Sequence, residues 1–368
     1  MKTTRIHGLA RIWIAAAALP LALSGQGAPV PADPHELVTD HAKAVTTEQD
    51  RLSTVQLIER ARSGYRLRDA RRGYDLKVSF VVNSGGQTRF DGTWAMEDVF
   101  APGLGWRWTA TAGSAYSITR IAVGDQLYGE ETASYVPLRL HEVRAALFDP
   151  IPAAALVRRS ALRTAAVQYK GDRLTCVLLS EPGSAGAAVS ARRWDETEEC
   201  FDAQTGLLRS HSQVPGRFYV YNYAPALRLG DRGLPRKVIV TEGGKTVTEI
   251  SLDSLTELNS PERTLFTPTA AMRERGRAIT LEGARKLWQT VPGSHASSSG
   301  AASHTVCVFG VITPAGKLAE AHSLQPSDPK SQAAVDAAKR IDFSRAAPQG
   351  AFPQQQFAFV FEQFVPAP

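Results

Sequence analysis

The chain has 368 residues, 43% of them hydrophobic, with 42 Lys and Arg against 36 Asp and Glu and a formal net charge of +6. That is chain enough for two domains, each with its own core. The basic residues are scattered: the densest stretch, Arg66, Arg68, Arg71 and Arg72, is broken by Leu67, Asp69 and Ala70, which argues against a nucleic-acid groove.

Residues 1–28 read as a secretory signal. Lys2, Arg5 and Arg11 form a basic lead, Ile12 to Leu23 an apolar core, and Ser24-Gly25-Gln26-Gly27-Ala28 a small-residue cleavage zone. The core falls short of the ~20 residues that span a bilayer. Cleavage and a periplasmic location are the expectation, with retention as an inner-membrane anchor the alternative. No cysteine stands near the zone, which excludes lipidation there. Without the signal the charge is near +3, with 39 basic residues against 36 acidic.

Residues 29–45 are rich in Pro and Ala and read as loose. TTEQDRLSTVQLIERARS (46–63) brings Leu52, Val55, Leu57, Ile58 and Ala61 to one helical face, with Gly64 as its stop. Alternation then marks β-structure. YDLKVSFVV (74–82) sets Tyr74, Leu76, Val78, Phe80 and Val82 against Asp75, Lys77 and Ser79; Asn83-Ser84-Gly85-Gly86 turns, and TRFDGTWAME (88–97) returns. GWRWTATA (105–112), AYSITRIAVG (115–124) and QLYGE (126–130) extend the meander. RLHEVRAALF (139–148) and AALVRRSALRTA (154–165) read as two helices. Strands resume from AVQYK to TVTEISLDSL, and SPERTLFTP (260–268) closes the region. ITLEGARKLWQ (279–289) reads as a short amphipathic helix. PGSHASSSGAAS (292–303) reads as a linker by composition, so 276–303 separates two domains.

Cys176 in RLTCVLLS and Cys200 in DETEECFDAQTG both sit on strands of an exported chain, so a Cys176–Cys200 disulfide is expected. Cys307, in an apolar strand, reads as a buried free thiol. No C-x-x-C spacing supports a metal site.

Three local signals in the first region resemble the LolA-like lipoprotein-carrier family: CFDAQTGLL (Cys200 to Leu208), YAPALRLGDRGLPRKV (Tyr223 to Val238) and LTELNSPERTLFTP (Leu255 to Pro268). The resemblance implies, for 46–275, a helix and a curved antiparallel half-barrel whose concave side is plugged by internal helices. Aromatic faces on curved sheets line apolar cavities, which makes Phe80, Trp94, Trp106 and Trp108 the candidate ligand-binding residues. Ordinary core is the equal alternative for these rings.

From His304 the order is strand (304–313), Pro314-Ala315-Gly316 turn, strand (317–324), helix (328–343) and strand (355–364). Gly316, Lys317, Ala334, Asp336, Ala337, Ala338, Arg340, Phe343, Gly350 and Pro353 stand in the order found in the TonB family's C-terminal domain, which this segment resembles. The resemblance implies a small ββαβ module that meets an envelope partner. In QQFAFVFEQF, Phe357, Phe359 and Phe361 share one side and Ala358, Val360 and Phe364 the other. One side takes the helix. The first is the candidate docking face for a partner or for the first domain.

Catalytic patterns are lacking. The eight histidines show no metal spacing, and neither a G-x-S-x-G elbow nor a phosphate loop occurs. Asp195, Glu196, Glu198 and Glu199 form an acidic run that reads as a solvated strand edge beside Arg192 and Arg193, with cation binding as the alternative. The reading is an exported α+β protein with no enzymatic activity and no cofactor. Its expected role is that of a TonB-family periplasmic protein whose interactions serve transport across the outer membrane. The alternative is a lipid or lipoprotein carrier that uses an apolar cavity of the first domain.

Overall fold

A computed structural model of the chain describes residues 42–86, 88–169, 171–183, 188–189, 192–276, 286–292, 304–347 and 350–364. The expectations for 1–28, 279–285 and 293–303 fall outside these residues. Among the described residues no helix is long and apolar enough to cross a membrane.

The first helix, α1 (Glu48–Tyr65), begins where the sequence predicts. The Thr47 hydroxyl accepts from the Asp50 amide at 3.1 Å, and Glu48 and Asp50 occupy the first turn, where the helix dipole favours acid. Val55, Ile58, Ala61 and Tyr65 form its buried stripe, and the helix runs one residue past Gly64. Before it lies β1 (Lys43–Ala44), and after it β2 (Gly73–Val82), β3 (Gly92–Ala101), β4 (Gly105–Ala112), β5 (Tyr116–Val123) and β6 (Gln126–Glu131). Helices α2 (Leu138–Phe148) and α3 (Ala154–Arg159) interrupt the strands. There follow β7 (Ala161–Tyr169), β8 (Asp172–Ser180), β9 (Ala188–Val189), β10 (Arg192–Arg193), β11 (Thr197–Asp202), β12 (Leu208–Val214) and β13 (Arg217–Asn222). Then come β14 (Leu227–Leu229), β15 (Arg232–Leu234), β16 (Lys237–Glu242), β17 (Lys245–Leu258) and a short helix, α4 (Ala270–Arg275).

Thirteen of these strands make one open sheet in the order β1-β7-β8-β11-β12-β13-β16-β17-β2-β3-β4-β5-β6. Tyr74, Leu76, Val78 and Phe80 of β2, Trp108 of β4, Leu162 of β7, Tyr221 of β13 and Ile250 of β17 join Ile58 of α1 and Val143 of α2 in a single buried cluster. Strands from both ends of the sheet therefore meet the same helices, and the sheet wraps round them. Buried Asp98 pins α2 to this face. It accepts from Tyr74 Oη at 2.8 Å, Trp106 Nε1 at 2.7 Å and Arg144 at 3.4 Å. The Arg144 guanidinium also lies 3.9 Å over the Trp108 ring. Burial lowers the pKa of Arg144 to about 10 although Asp98 pulls it upward.

In the first region two predicted elements differ. The helix expected over 154–165 stops at Arg159, and Ala161 onward is strand. Ala, Leu and Arg favour a helix locally. As a strand, however, the segment buries Leu162 on one face and Ala165 and Val167 on the other while pairing with β8. The return strand expected from Thr88 begins at Gly92, because the Asp91 amide closes a turn on the Thr88 carbonyl at 3.0 Å.

The tail comprises β18 (Lys286–Pro292), β19 (His304–Ile312), β20 (Leu318–Ser323), α5 (Ser331–Lys339) and β21 (Gln356–Phe364), with sheet order β18-β21-β19-β20. Residues 286–289, expected to be helical, instead lie in β18, parallel to β21 and covering an edge that would otherwise be open. Helix α5 packs on the Ala358 and Val360 side of β21: Ala334 and Ala338 are fully buried against Val306, Val308, Ala358 and Val360. Gly316 holds the turn at φ 79°, where a Cβ would lie 2.3 Å from the Ser344 amide nitrogen.

The other face of the tail sheet is covered by the first domain. Cys307, Phe309, Val311 and Phe359, with Phe357 and Phe361 beside them, pack on Leu138, Trp194 and Val214. The rings of Trp194 and Phe361 meet edge-on at 5.4 Å. The candidate partner residues Phe357, Phe359 and Phe361 therefore dock within the chain. Burying each such ring is worth about 1.5–3 kcal/mol, which explains why the face is not left in water. Two hairpin turns approach the β20 end closely: a Cβ on Gly216 (φ 82°) would lie 2.5 Å from the Leu324 carbonyl oxygen, and one on Gly243 (φ 55°) 2.3 Å from that of Ser323.

Cys176 and Cys200 stand directly opposite on β8 and β11, with Cα atoms 4.0 Å apart, and are bonded; Cys307 is buried and outside any disulfide. Replacing both bridged cysteines by Ala, which opens a loop of sequence separation 24, should lower stability by about 3 kcal/mol in urea unfolding. Intact-mass analysis with alkylation should find one free thiol in the native chain. Gly243→Ala should cost about 2–3 kcal/mol and speed proteolysis of the tail. Gly244→Ala, at φ 76° with nothing within 4 Å, meets strain alone and should cost about 1 kcal/mol.

Candidate functional site

The chemistry of this molecule concentrates where the inner face of the wrapped sheet, α2 and the tail meet. Leu138–Phe148 places Arg139 and Glu142 at i and i+3, on one face of α2. Arg139 donates to Glu242 Oε1 at 2.7 Å, to Glu142 Oε2 at 3.0 Å and to Glu320 Oε2 of the tail at 2.5 Å. Arg217 donates to Glu242 Oε1 at 3.0 Å, to Glu142 Oε1 at 2.5 Å, and to Tyr219 Oη and Gln213 Oε1 at 2.7 Å each. Both guanidiniums lie over the tail's Phe309 ring, Arg217 at 4.4 Å and Arg139 at 5.4 Å. His322 Nε2 stands 3.9 Å from both Glu242 and Glu320. Two cations thus face three carboxylates with almost no water. Burial pushes the Glu242 carboxyl up, but Arg139 and Arg217 together outweigh it and hold the pKa at about 2.

Beside this cluster lies a cleft of about 420 Å³, between β11–β13 and the chain from α2 to α3. Ala145, Ala146, Ile151, Pro152 and Leu156 supply an apolar wall, to which the tail adds Phe357. Thr197, Glu199, His211, Gln213, Tyr219 and Tyr221 supply a polar wall. Strand register builds this second wall: Glu199 opposes His211 across β11 and β12, and His211 opposes Tyr219 across β12 and β13. His211 Nδ1 stands 2.8 Å from Glu199 Oε1, and the His211 and Tyr219 rings are 5.4 Å apart. Glu199 is 1% exposed, and among the described residues neither its Oε2 nor Tyr221 Oη has a hydrogen-bond partner. Burial, with Glu198 nearby, raises the Glu199 pKa although His211 pulls it down. Burial likewise raises the Tyr219 and Tyr221 phenols, which stay neutral. At the cleft edge Arg62 is engaged by Asp149 at 2.7 Å and by the Ile151 carbonyl at 2.6 Å.

The ligand-binding candidates from sequence lie elsewhere. Phe80 and Trp94 stack at 5.4 Å, each 1% exposed, and Trp108 is buried under Arg144, all inside the core of the sheet. Trp106 is half-buried and spends its N–H on Asp98. None of the four lines the cleft. The acidic run is not solvated: Glu196, Glu198 and Glu199 are buried, Glu196 beside Arg163 and Glu198 beside Arg192. His211 and Glu199, unremarked as a pair in the sequence, are the cleft's central polar groups. Counting back from the Asp202–Gly206 hairpin turn would set Glu199 against Ser210; the register shift between Cys200 and Phe201 brings it opposite His211 instead, and no local signal announces that shift.

No protein-family profile matches the chain, and no curated protein matches it. Among solved structures it is similar to a candidate outer membrane lipoprotein-sorting protein domain from Vibrio parahaemolyticus, at 7% identity and TM-score 0.36 over 59% of this chain and 97% of that one. A LolA superfamily protein from Nitrosomonas europaea matches at 10% identity and TM-score 0.36 over 61% of this chain and 99% of that one. MucB in complex with MucA(peri) matches at 12% identity and TM-score 0.26, over 62% of each chain. Likenesses this distant carry no functional argument.

Glu242→Gln leaves two buried guanidiniums short of a carboxylate and should destabilise the protein by about 3 kcal/mol at neutral pH. The Glu242 pKa is depressed from 4.5 to about 2, so its stabilisation is complete above 4.5 and lost as pH falls towards 2. Urea unfolding at pH 7 and pH 3 should therefore show the gap between variant and parent narrowing in acid.

Proposed function

We propose that the chain is a periplasmic, non-enzymatic binding protein that carries a small, partly apolar ligand in the cleft between β11–β13 and α2. The observation behind this reading is the cleft itself. Its volume, about 420 Å³, lies in the range of ligand sites, and an apolar wall faces a few convergent polar groups. The signal-like N-terminus and the disulfide suit an oxidising, exported setting. The tail, on this reading, is part of the container: Phe357 closes one side. A role for the tail in transport across the outer membrane gains no support from its docked phenylalanine face.

Ala145 is an exposed residue of the cleft wall, so Ala145→Trp should fill the opening without touching the core. Titration with the uncharged fluorescent hydrophobe N-phenylnaphthylamine should show saturable binding to the parent chain. Affinity should fall at least tenfold in the variant, with the urea midpoint unchanged.

A further inference from the structure

The polar wall has an asymmetry that bears on what the cleft accepts. Its positive groups are engaged: Arg62 by Asp149 and the Ile151 carbonyl, and Arg217 by Glu142, Glu242, Tyr219 and Gln213. Its unsatisfied atoms are a carboxylate oxygen, which accepts, and a phenol, which can accept or donate. Glu199 Oε2 and Tyr221 Oη are buried and make no hydrogen bond among the described residues. The register puts Glu199, His211 and Tyr219 in one row, and Tyr221 follows Tyr219 two residues along the same face of β13. A buried carboxylate oxygen without a donor costs free energy until a donor arrives, and a cation is the donor that returns most. An anionic head group would meet Glu199 and Glu142 with no spare guanidinium to receive it.

Resting on the reading of the cleft as a binding site, we propose that it selects an amphiphile bearing a protonated primary amine, the ammonium donating to Glu199 Oε2 at the Tyr221 end and the alkyl chain lying along Ile151, Leu156 and Phe357. His211 is a positioning residue. Its bond to Glu199 Oε1 fixes the carboxylate plane and leaves Oε2 for the ligand. The acidic run of the sequence thus contributes one member to a cation site, from within the sheet rather than from its surface.

The test is isothermal titration of the full chain, stripped of any bound ligand, with dodecylamine, dodecanol and dodecanoate at neutral pH. Dodecylamine should bind at least tenfold more tightly than the other two. Glu199→Gln keeps the volume and removes the charge, and should erase that preference by bringing dodecylamine down to the affinity of dodecanol. Tyr221→Phe, a milder change, should reduce the preference without abolishing it. Equal affinity for all three probes in the parent chain, which needs no variant to fold, would overturn the amine selectivity and leave the binding reading standing. So would a preference that survives Glu199→Gln. If none of the three chains binds, the cleft is not a site for amphiphiles and both readings fall.

Discussion

Two guanidiniums buried between three carboxylates hold this molecule in register. Arg139 and Glu142 come from α2, Arg217 from β13, Glu242 from β16 and Glu320 from the tail, so one cluster ties helix, sheet and second module together. Apolar burial of Phe309 and Phe359 supplies much of the adhesion. Adhesion alone tolerates sliding. A set of charges that must all be satisfied away from water does not, because a shift of one residue strands a cation. The close contacts of Gly216 and Gly243 with the β20 end act in the same sense, allowing backbone to approach where any side chain would hold it off.

The cleft inherits its shape from that seam. Glu142, Gln213 and Tyr219 belong to both, with one set of atoms held by Arg217 and the same side chains facing the cavity. Rigid anchoring on one side explains how a polar wall on three short strands keeps a defined geometry without loops to brace it. It also separates roles among residues that look alike in sequence. Glu142 and Glu242 are spent on structure, and Glu199 keeps one oxygen in reserve.

Much of the fold is legible in the chain because its periodicities are strong. The alternation of β2, the cap at Thr47, the Cys176–Cys200 pairing, the Gly316 turn and the two-faced β21 all follow from local rules. What the sequence hides is long-range. The strand at Ala161 carries helix-favouring residues, and only pairing with β8 overrides them. The aromatic residues of β2–β4 look like a ligand surface until α1 and α2 are laid across them. The acidic run looks solvated because its partners, Arg163 and His211, are distant in sequence. A charged residue reads as exposed by default, and only a partner that no local window contains can reverse that expectation.

The tail sheet places β21 between β18 and β19, although β21 is the last of the three in sequence. Neither earlier strand can complete its ladder with the other: β19 pairs with β20 on one side, and its other side, like β18, bonds to the latecomer. A chain made from its N-terminal side therefore holds two unfinished strand edges until residues 356–364 arrive. Phe357 of the cleft wall arrives with them. The cleft therefore gains its tail wall only once residues 356–364 are made, and any shorter nascent chain lacks it.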